Sequence, residues 1–477
     1  MGETKRSIVP FAFYDRSGIE AYLERQARAG WMLEKIGNLF WHFRRIEPKH
    51  IFFCVVYSAK ASVFDAELSD AQKELIDFCE HTGWKLAASC GKMQIFWNAS
   101  ADPLPIETDA ALSVSAIHSV AKKSYLLLTY LLAGVSLLNL IIMVSRFRFD
   151  PFSILLRDSD LFMSAMWIMM FAHSLMDVIG YYRWHRRAKA AAALDGSFLE
   201  SSTGRFRRLR SLSILCMGVL LLCSVISELS YTSAAALLLV LVGGVGVLGF
   251  SAWMKNRKVS AGKNRAVTVG LSIALCYVVL AVVVFGTVLN RAPSEEVETE
   301  TYIYEAEQYA IYHDTIPLRV EDMQAVDDCG YSYENYGRQA TFLMAYAEAA
   351  QCPRRDAPLA PGLAYNVTTV KLPFLYDWCK RVLHRDVGSH SGLPRPDSGS
   401  WEGVTGEYAA ADPTPWGAQE AYLLQNGAEG EQCFLLCYER NLVRIRFTGQ
   451  WALSPAQMRI VGETLGQAED LQWPERQ

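Results

Sequence analysis

The chain has no glycine-rich phosphate loop, no serine set in a strand-turn-helix elbow and no His/Cys grouping with metal-ligand spacing. Those are the patterns on which phosphoryl transfer, acyl transfer and metal-assisted hydrolysis depend. Their absence excludes the commonest catalytic classes and calls for no cofactor. No apolar run long enough for a cleavable leader precedes residue 125, where the chain opens Met1-Gly2-Glu3-Thr4-Lys5-Arg6. Arg6 stands where N-myristoylation needs Ser or Thr. Charge is missing altogether from 126–138 and from 234–253, which a helix with a wet face does not allow. The eleven cysteines are scattered rather than framed. Five of them (Cys329, Cys352, Cys379, Cys433, Cys437) fall in the C-terminal region, where burial as small apolar residues is expected.

What the sequence does hold is five apolar windows of about the length a bilayer requires, roughly 20 residues per helix. They are Tyr125–Val144, Leu161–Tyr182, Ser211–Ile226, Ser233–Trp253 and Val267–Leu289. Only 227–232 separates the third from the fourth, so those two are expected to form a hairpin. Cytoplasmic loops retain Lys and Arg. The loops 183–210 and 254–266 carry eight and five of them, and Lys122 and Lys123 precede the first window. The opposite set has Arg146, Arg148 and Arg157 alone. The excess places residues 1–105 in the cytoplasm and, after an odd number of spans, residues 290–477 outside. Charge divides along the same lines. Residues 1–123 are balanced, 124–290 have sixteen basic against seven acidic side chains, and 291–477 have fifteen against twenty-eight. An acidic outer domain argues against nucleic acid as a partner, and the bilayer's anionic headgroups suffice for the basic loops.

The first hundred residues repeat themselves. Ala29-Gly30-Trp31-Met32-Leu33 and Thr82-Gly83-Trp84-Lys85-Leu86 follow similar helical stretches, and the two glycines are 53 positions apart. In each unit a helix capped near Ser17, or near Ser69 or Asp70, stops at Gly, which suits the left-handed residue past a helix end. A Trp then starts a strand packed back as a large core side chain. With strands at 11–14 and 51–58, this gives two strand-helix-strand-strand units in one α+β sheet domain, 1–105, joined by a linker, 106–124, to the spans. The paired Gly-Trp motifs, the aromatic strand between them and the spans that follow resemble the bacterial membrane-protein family catalogued as domain of unknown function 2812. The resemblance implies no activity and no catalytic residue; members of that family are often encoded beside PadR-like transcriptional regulators.

Inside the second window His173 and Asp177 are four residues apart, hence on one helix face. Ionisable groups at such depth face protein or water. The pair reads either as mutually satisfied, with Asp177 reaching toward the basic cluster that starts at Arg183, or as proton- or ion-responsive. Asn139 suits an interhelical hydrogen bond, and Gly243, Gly246 and Gly249 a close helix approach. Beyond an acidic leader at 293–300, the outer region is expected to hold helices at 302–312 and 340–350, a loop at 388–415, strands at 421–424, 432–439 and 442–448, and a closing helix from Ser454. His313, His384 and His390 are its only candidates for chemistry. The expectation is a non-enzymatic, multi-domain, multi-pass protein of regulatory or sensory type. It would link an extracytoplasmic α+β domain, facing a ligand or envelope protein, to a cytoplasmic domain that meets a protein partner. An accessory subunit of a transporter is the alternative, and an extracytoplasmic enzyme comes third.

Overall fold

The computed structural model describes residues 3–7, 11–12, 14–37, 40–57, 64, 68–106, 109–149, 151–194, 204–227, 231–289, 300–325, 330–357, 359–385, 406–425, 431–466 and 473. The acidic leader, Cys329, His390 and most of the loop expected at 388–415 lie outside the described residues. Two compact units result: 1–141 with 162–290, and 142–161 with 291–477.

In the first unit the duplication is literal. The elements are β1 (Thr4–Ser7), α1 (Arg16–Arg28), β2 (Trp31–Ile36) and β3 (Trp41–Arg45), then β4 (Phe52–Tyr57), α2 (Asp70–His81), β5 (Lys85–Cys90) and β6 (Met93–Asn98). Each half closes its own antiparallel sheet in the same order, β1-β3-β2 and β4-β6-β5. Gly30 and Gly83 share a φ of +83°, which only glycine adopts at little cost. Each second strand is bulged at the same place, between Leu33 and Lys35 and between Leu86 and Ala88. The single sheet expected from sequence is therefore two. Part of the reason lies at Val55, on edge strand β4, whose N–H donates to the Glu20 carboxylate of α1 at 2.9 Å instead of to another strand. The first strand is not 11–14 but the charged segment Thr4–Ser7, and α1 is capped by Asp15, which accepts from the Gly18 N–H at 3.1 Å, not by Ser17. Ser69 caps α2 in a reciprocal box with Gln72.

Side chains of α1 and of both sheets share one core, in which Leu23, Ala27, Leu33, Phe43, Phe53, Val55 and Ile95 are buried. The other face of the second sheet packs Cys54, Val56 and Phe96 around Cys79 of α2 and Trp84. Trp84 donates its indole N–H to the Leu104 carbonyl at 2.7 Å. Trp31 departs from the expectation of a fully buried core side chain. It is half-buried, with Lys5 and Arg45 over its ring at 5.5 and 5.6 Å. Trp84→Ala is accordingly expected to destabilise this domain by about 3–5 kcal/mol, and Trp31→Ala by clearly less. Thermal unfolding of the two variants checks the ranking, and equal losses would contradict it.

The segment read as a linker contains α3 (Ala110–Lys123), whose Ile117, Val120 and Ala121 join the same core. Then come α4 (Tyr125–Phe149), a short α5 (Pro151–Leu155), α6 (Asp158–Leu194), α7 (Gly204–Ser227), α8 (Tyr231–Asn256) and α9 (Ala261–Leu289). Among the described residues five helices are long and apolar enough to cross a membrane, and the most apolar window of the last has no buried residue. Apolar surface on that scale is stable against lipid, not water. The closely packed pair is α8 with α9 rather than the third and fourth windows. Gly243 leaves room there, since a Cβ on it would meet the Leu275 side chain at 2.4 Å. Fully buried Asn264 of α9 donates to the Ser251 carbonyl of α8 at 3.2 Å.

The second unit is built on one antiparallel sheet. Its elements are β7 (Glu300–Tyr304), β8 (Glu307–Ile311), β9 (Ser332–Ala340), β10 (Met344–Cys352), β11 (Gly362–Val370), α10 (Pro373–Arg385), β12 (Glu407–Ala411), β13 (Glu420–Gln425), β14 (Gln432–Cys437), β15 (Asn441–Thr448) and α11 (Pro455–Val461). Seven strands run in the order β12-β13-β14-β15-β11-β10-β9, with β7 and β8 a separate hairpin. Both helices expected at 302–312 and 340–350 are strands. The second is alanine-rich and reads as helix by propensity, but β10 is paired on both edges, with β9 and β11, and buried along nearly its whole length, where packing decides. One face holds Tyr365, Phe434 and Ile445 under Trp416 and Val461. The other holds Met344, Tyr346, Leu435 and Leu442 under Leu383 of α10 and under Phe152, Leu155 and Leu156, which come from the join between α4 and α6. Ser454 caps α11 and Pro455 opens it, as its sequence suggests. Cys352, Cys379, Cys433 and Cys437 are free thiols that burial pushes up to about 11 or 12. Such thiols are inert packing groups.

Candidate functional site

Of the polar residues singled out in the spans, His173 and Asp177 do come together with others. Helical spacing puts both on one face of α6, with the His173 Nε2 3.8 Å from the Asp177 carboxylate. Helix α7 supplies two more members. Arg210 places a guanidinium nitrogen 3.4 Å from the same carboxylate oxygen, and the Ser213 hydroxyl lies 2.6 Å from His173 Nδ1. Asp177 is 4% exposed. The Tyr125 hydroxyl lies beside the same carboxylate, while Nε and Nη1 of Arg210 are buried without a hydrogen-bond partner among the described residues. The pair is thus held by charge rather than by a complete set of hydrogen bonds, the arrangement in which removal of one partner is most costly.

The N-terminal segment closes over this cluster. Tyr14, just before α1, packs its ring against Tyr125 of α4 and against Tyr181 and Trp184 of α6, at centroid distances of 6.1, 5.4 and 5.1 Å. Gly180 permits the approach, since a Cβ there would lie 3.1 Å from the Tyr14 hydroxyl and 2.7 Å from Phe206. Burial, with the Asp177 carboxylate adding in the same sense, holds the Tyr14 hydroxyl well above the usual phenol range, so it stays protonated. Arg207 of α7 lies over the Phe11 ring at 4.9 Å. Next to these contacts His118 of α3 stacks on His185 of α6 at 4.2 Å and meets the Tyr181 hydroxyl at 2.8 Å. One set of side chains therefore ties the small-sheet domain to α4, α6 and α7.

The remaining sequence candidates stay apart from it. Gly30, Trp31, Gly83 and Trp84 serve the sheets described above. Asn139 is half-buried and donates to the Val135 carbonyl of its own helix at 2.9 Å. His313 meets Glu300 at the surface at 3.2 Å, and His384 lies edge-on to Tyr422. No three metal-capable side chains cluster among the described residues. Arg210, Ser213 and Tyr14 were not singled out from sequence. The available signal was topological: Arg210 stands at the polar margin of the third window, at the same membrane boundary that Asp177 approaches from the second.

No curated protein and no solved structure matches the chain. Residues 15–129 match one family, and the matched stretch runs from the cap of α1 through both halves of the duplication and α3 into α4. That segment, about a quarter of the chain, is similar to the family described as "Protein of unknown function (DUF2812)".

Proposed function

We propose that this multi-pass protein is a regulatory or sensory element, without a reaction of its own. An extracytoplasmic domain, 291–477, would answer a ligand or envelope partner, and the duplicated domain, 1–105, would answer a cytoplasmic protein. The observation that carries the reading is α6. Its 37 residues make one helix, about 55 Å long. Near its start Leu161 packs against the core of the second unit. In its later turns Tyr181, Trp184 and Ala188 are buried in the core of the first. Each unit thus has its own core, and α6 is the stretch of chain that leads from one to the other. Lys and Arg gathered in the loops 183–210 and 254–266 support a cytoplasmic side for the duplicated domain.

The orientation is tested with a reporter active only outside the cytoplasm. Fused after Gln477 it should be active, and inserted near Lys60 it should be silent; the reverse pattern overturns the assignment of both domains. A transporter accessory subunit remains the second reading, favoured by the buried ionic cluster on α6 and α7. Affinity capture of the full chain separates the two: a permease or ATPase favours the subunit, a regulator favours the sensor.

A further inference from the structure

Among the described residues of the second unit, three aromatic side chains are more than half exposed: Phe149 (75%), Phe342 (57%) and Phe374 (76%). All three belong to one end of that unit. Phe149 closes α4, and Phe147 just before it stacks on Trp378 of α10, with centroids 5.3 Å apart and planes at 16°. Phe374 precedes Trp378 by four residues, so the two share a face of α10. Phe342 lies in the β9–β10 turn beside Thr341. The Thr341 hydroxyl donates to the Leu155 carbonyl at 2.8 Å, and its carbonyl accepts from the Lys371 ammonium at 2.6 Å. Strand register makes this one edge, because Met344 pairs with Val370: β10 departs from it and β11 returns to it just before α10 begins.

The segment these groups surround, 147–161, joins two helices long and apolar enough to cross a membrane, so this edge meets the boundary of the hydrocarbon. We propose that the C-terminal domain lies on the bilayer surface, with Phe342 and Phe374 inserted beside Phe149 among the upper acyl chains and headgroups. Exposed apolar side chains of that size call for a partner, and aromatic rings are favoured at that depth. Lipid is the occupant, rather than a second protein, because the patch continues into Ile142 and Val144, exposed on the last turns of α4. The proposal rests on reading α4 and α6 as spans.

The test places p-benzoylphenylalanine singly at positions 342, 374, 138 and 359 of the full chain, reconstituted in vesicles of phosphatidylethanolamine and phosphatidylglycerol. Leu138 is mid-α4 and reports on the span itself. Leu359 is 68% exposed but lies in the turn at the far ends of β10 and β11, roughly 25 Å away at strand rise. After irradiation, mass spectrometry should find lipid adducts at 138, 342 and 374 and none at 359. Adducts at 138 with none at 342 and 374 overturn this proposal and leave the spans standing. Protein–protein adducts at 342 or 374, or lipid adducts at 359 as abundant as at the others, overturn it too. Loss of the adduct at 138 overturns the spans and the proposal together.

Discussion

Arg210→Met is expected to destabilise the membrane unit by about 3–5 kcal/mol, because it strands a buried carboxylate in a low-dielectric site. Asp177 would retain the neutral Tyr125 hydroxyl and the His173 imidazole at 3.8 Å, but no full positive charge. Replacing both members, Asp177→Leu with Arg210→Met, should restore stability to near that of the parent or above it, since a well-packed apolar pair carries no desolvation cost. His173 keeps its Ser213 contact in that double variant. Thermal unfolding of the purified chain in detergent, with abundance in the membrane beside it, measures all three. A single variant as stable as the parent would mean that the carboxylate finds water. A double variant no better than the single would mean that the cluster is needed for more than its own neutrality, which favours an ion- or proton-responsive role. Activity of the partner system at several pH values would then be the readout to follow.

The second large effect lies in the join between α4 and α6. Phe152 is 1% exposed in the core of the C-terminal unit, and Phe152→Ala should cost that unit about 3–5 kcal/mol. Its cleavage by protease on heating should begin at lower temperature, while the fragment containing the duplicated domain keeps its own threshold. Equal loosening of both fragments, or of neither, would contradict the packing. The effect is informative because Phe152 stands far from residues 291–477 in sequence, in a stretch that passes for a connecting loop.

That stretch illustrates what sequence does and does not disclose. Membrane-length helices are legible because their requirement is local: about 20 apolar residues wherever they occur. The duplication is legible because a left-handed glycine after a helix leaves a mark at a fixed interval, seen at Gly30 and Gly83. The bulges of β2 and β5 leave no such mark, since nothing in Glu34 or Ala87 announces an unpaired residue. Strand β1 is not legible because Thr4-Lys5-Arg6-Ser7 has no apolar alternation; it is an edge strand, and charge at an edge discourages pairing with other chains. Strand β10 is hard to read because Ala345, Ala347, Ala349 and Ala350 favour a helix in isolation, while the side chains that cover the two faces of its sheet, such as Phe152 and Trp416, are distant in sequence. In the spans, the spacing of His173 and Asp177 was visible, but Arg210 was not, because contact between helices depends on how they turn against each other.

The two separate sheets have a consequence for how the chain is made. Every pairing of the first sheet is settled within residues 4–45, and every pairing of the second within 52–98. Contacts this local form early and fast, and N-terminal units fold while the rest is still being synthesised. Both small sheets are therefore complete before the first membrane helix leaves the ribosome. Their shared core is not, for it still lacks Tyr181, Trp184 and Ala188, and Asp177 still lacks Arg210. The open seam on the finished sheets is a waiting template, on which α6 seats once it is inserted and which α7 then locks by bringing its guanidinium to a carboxylate already in place.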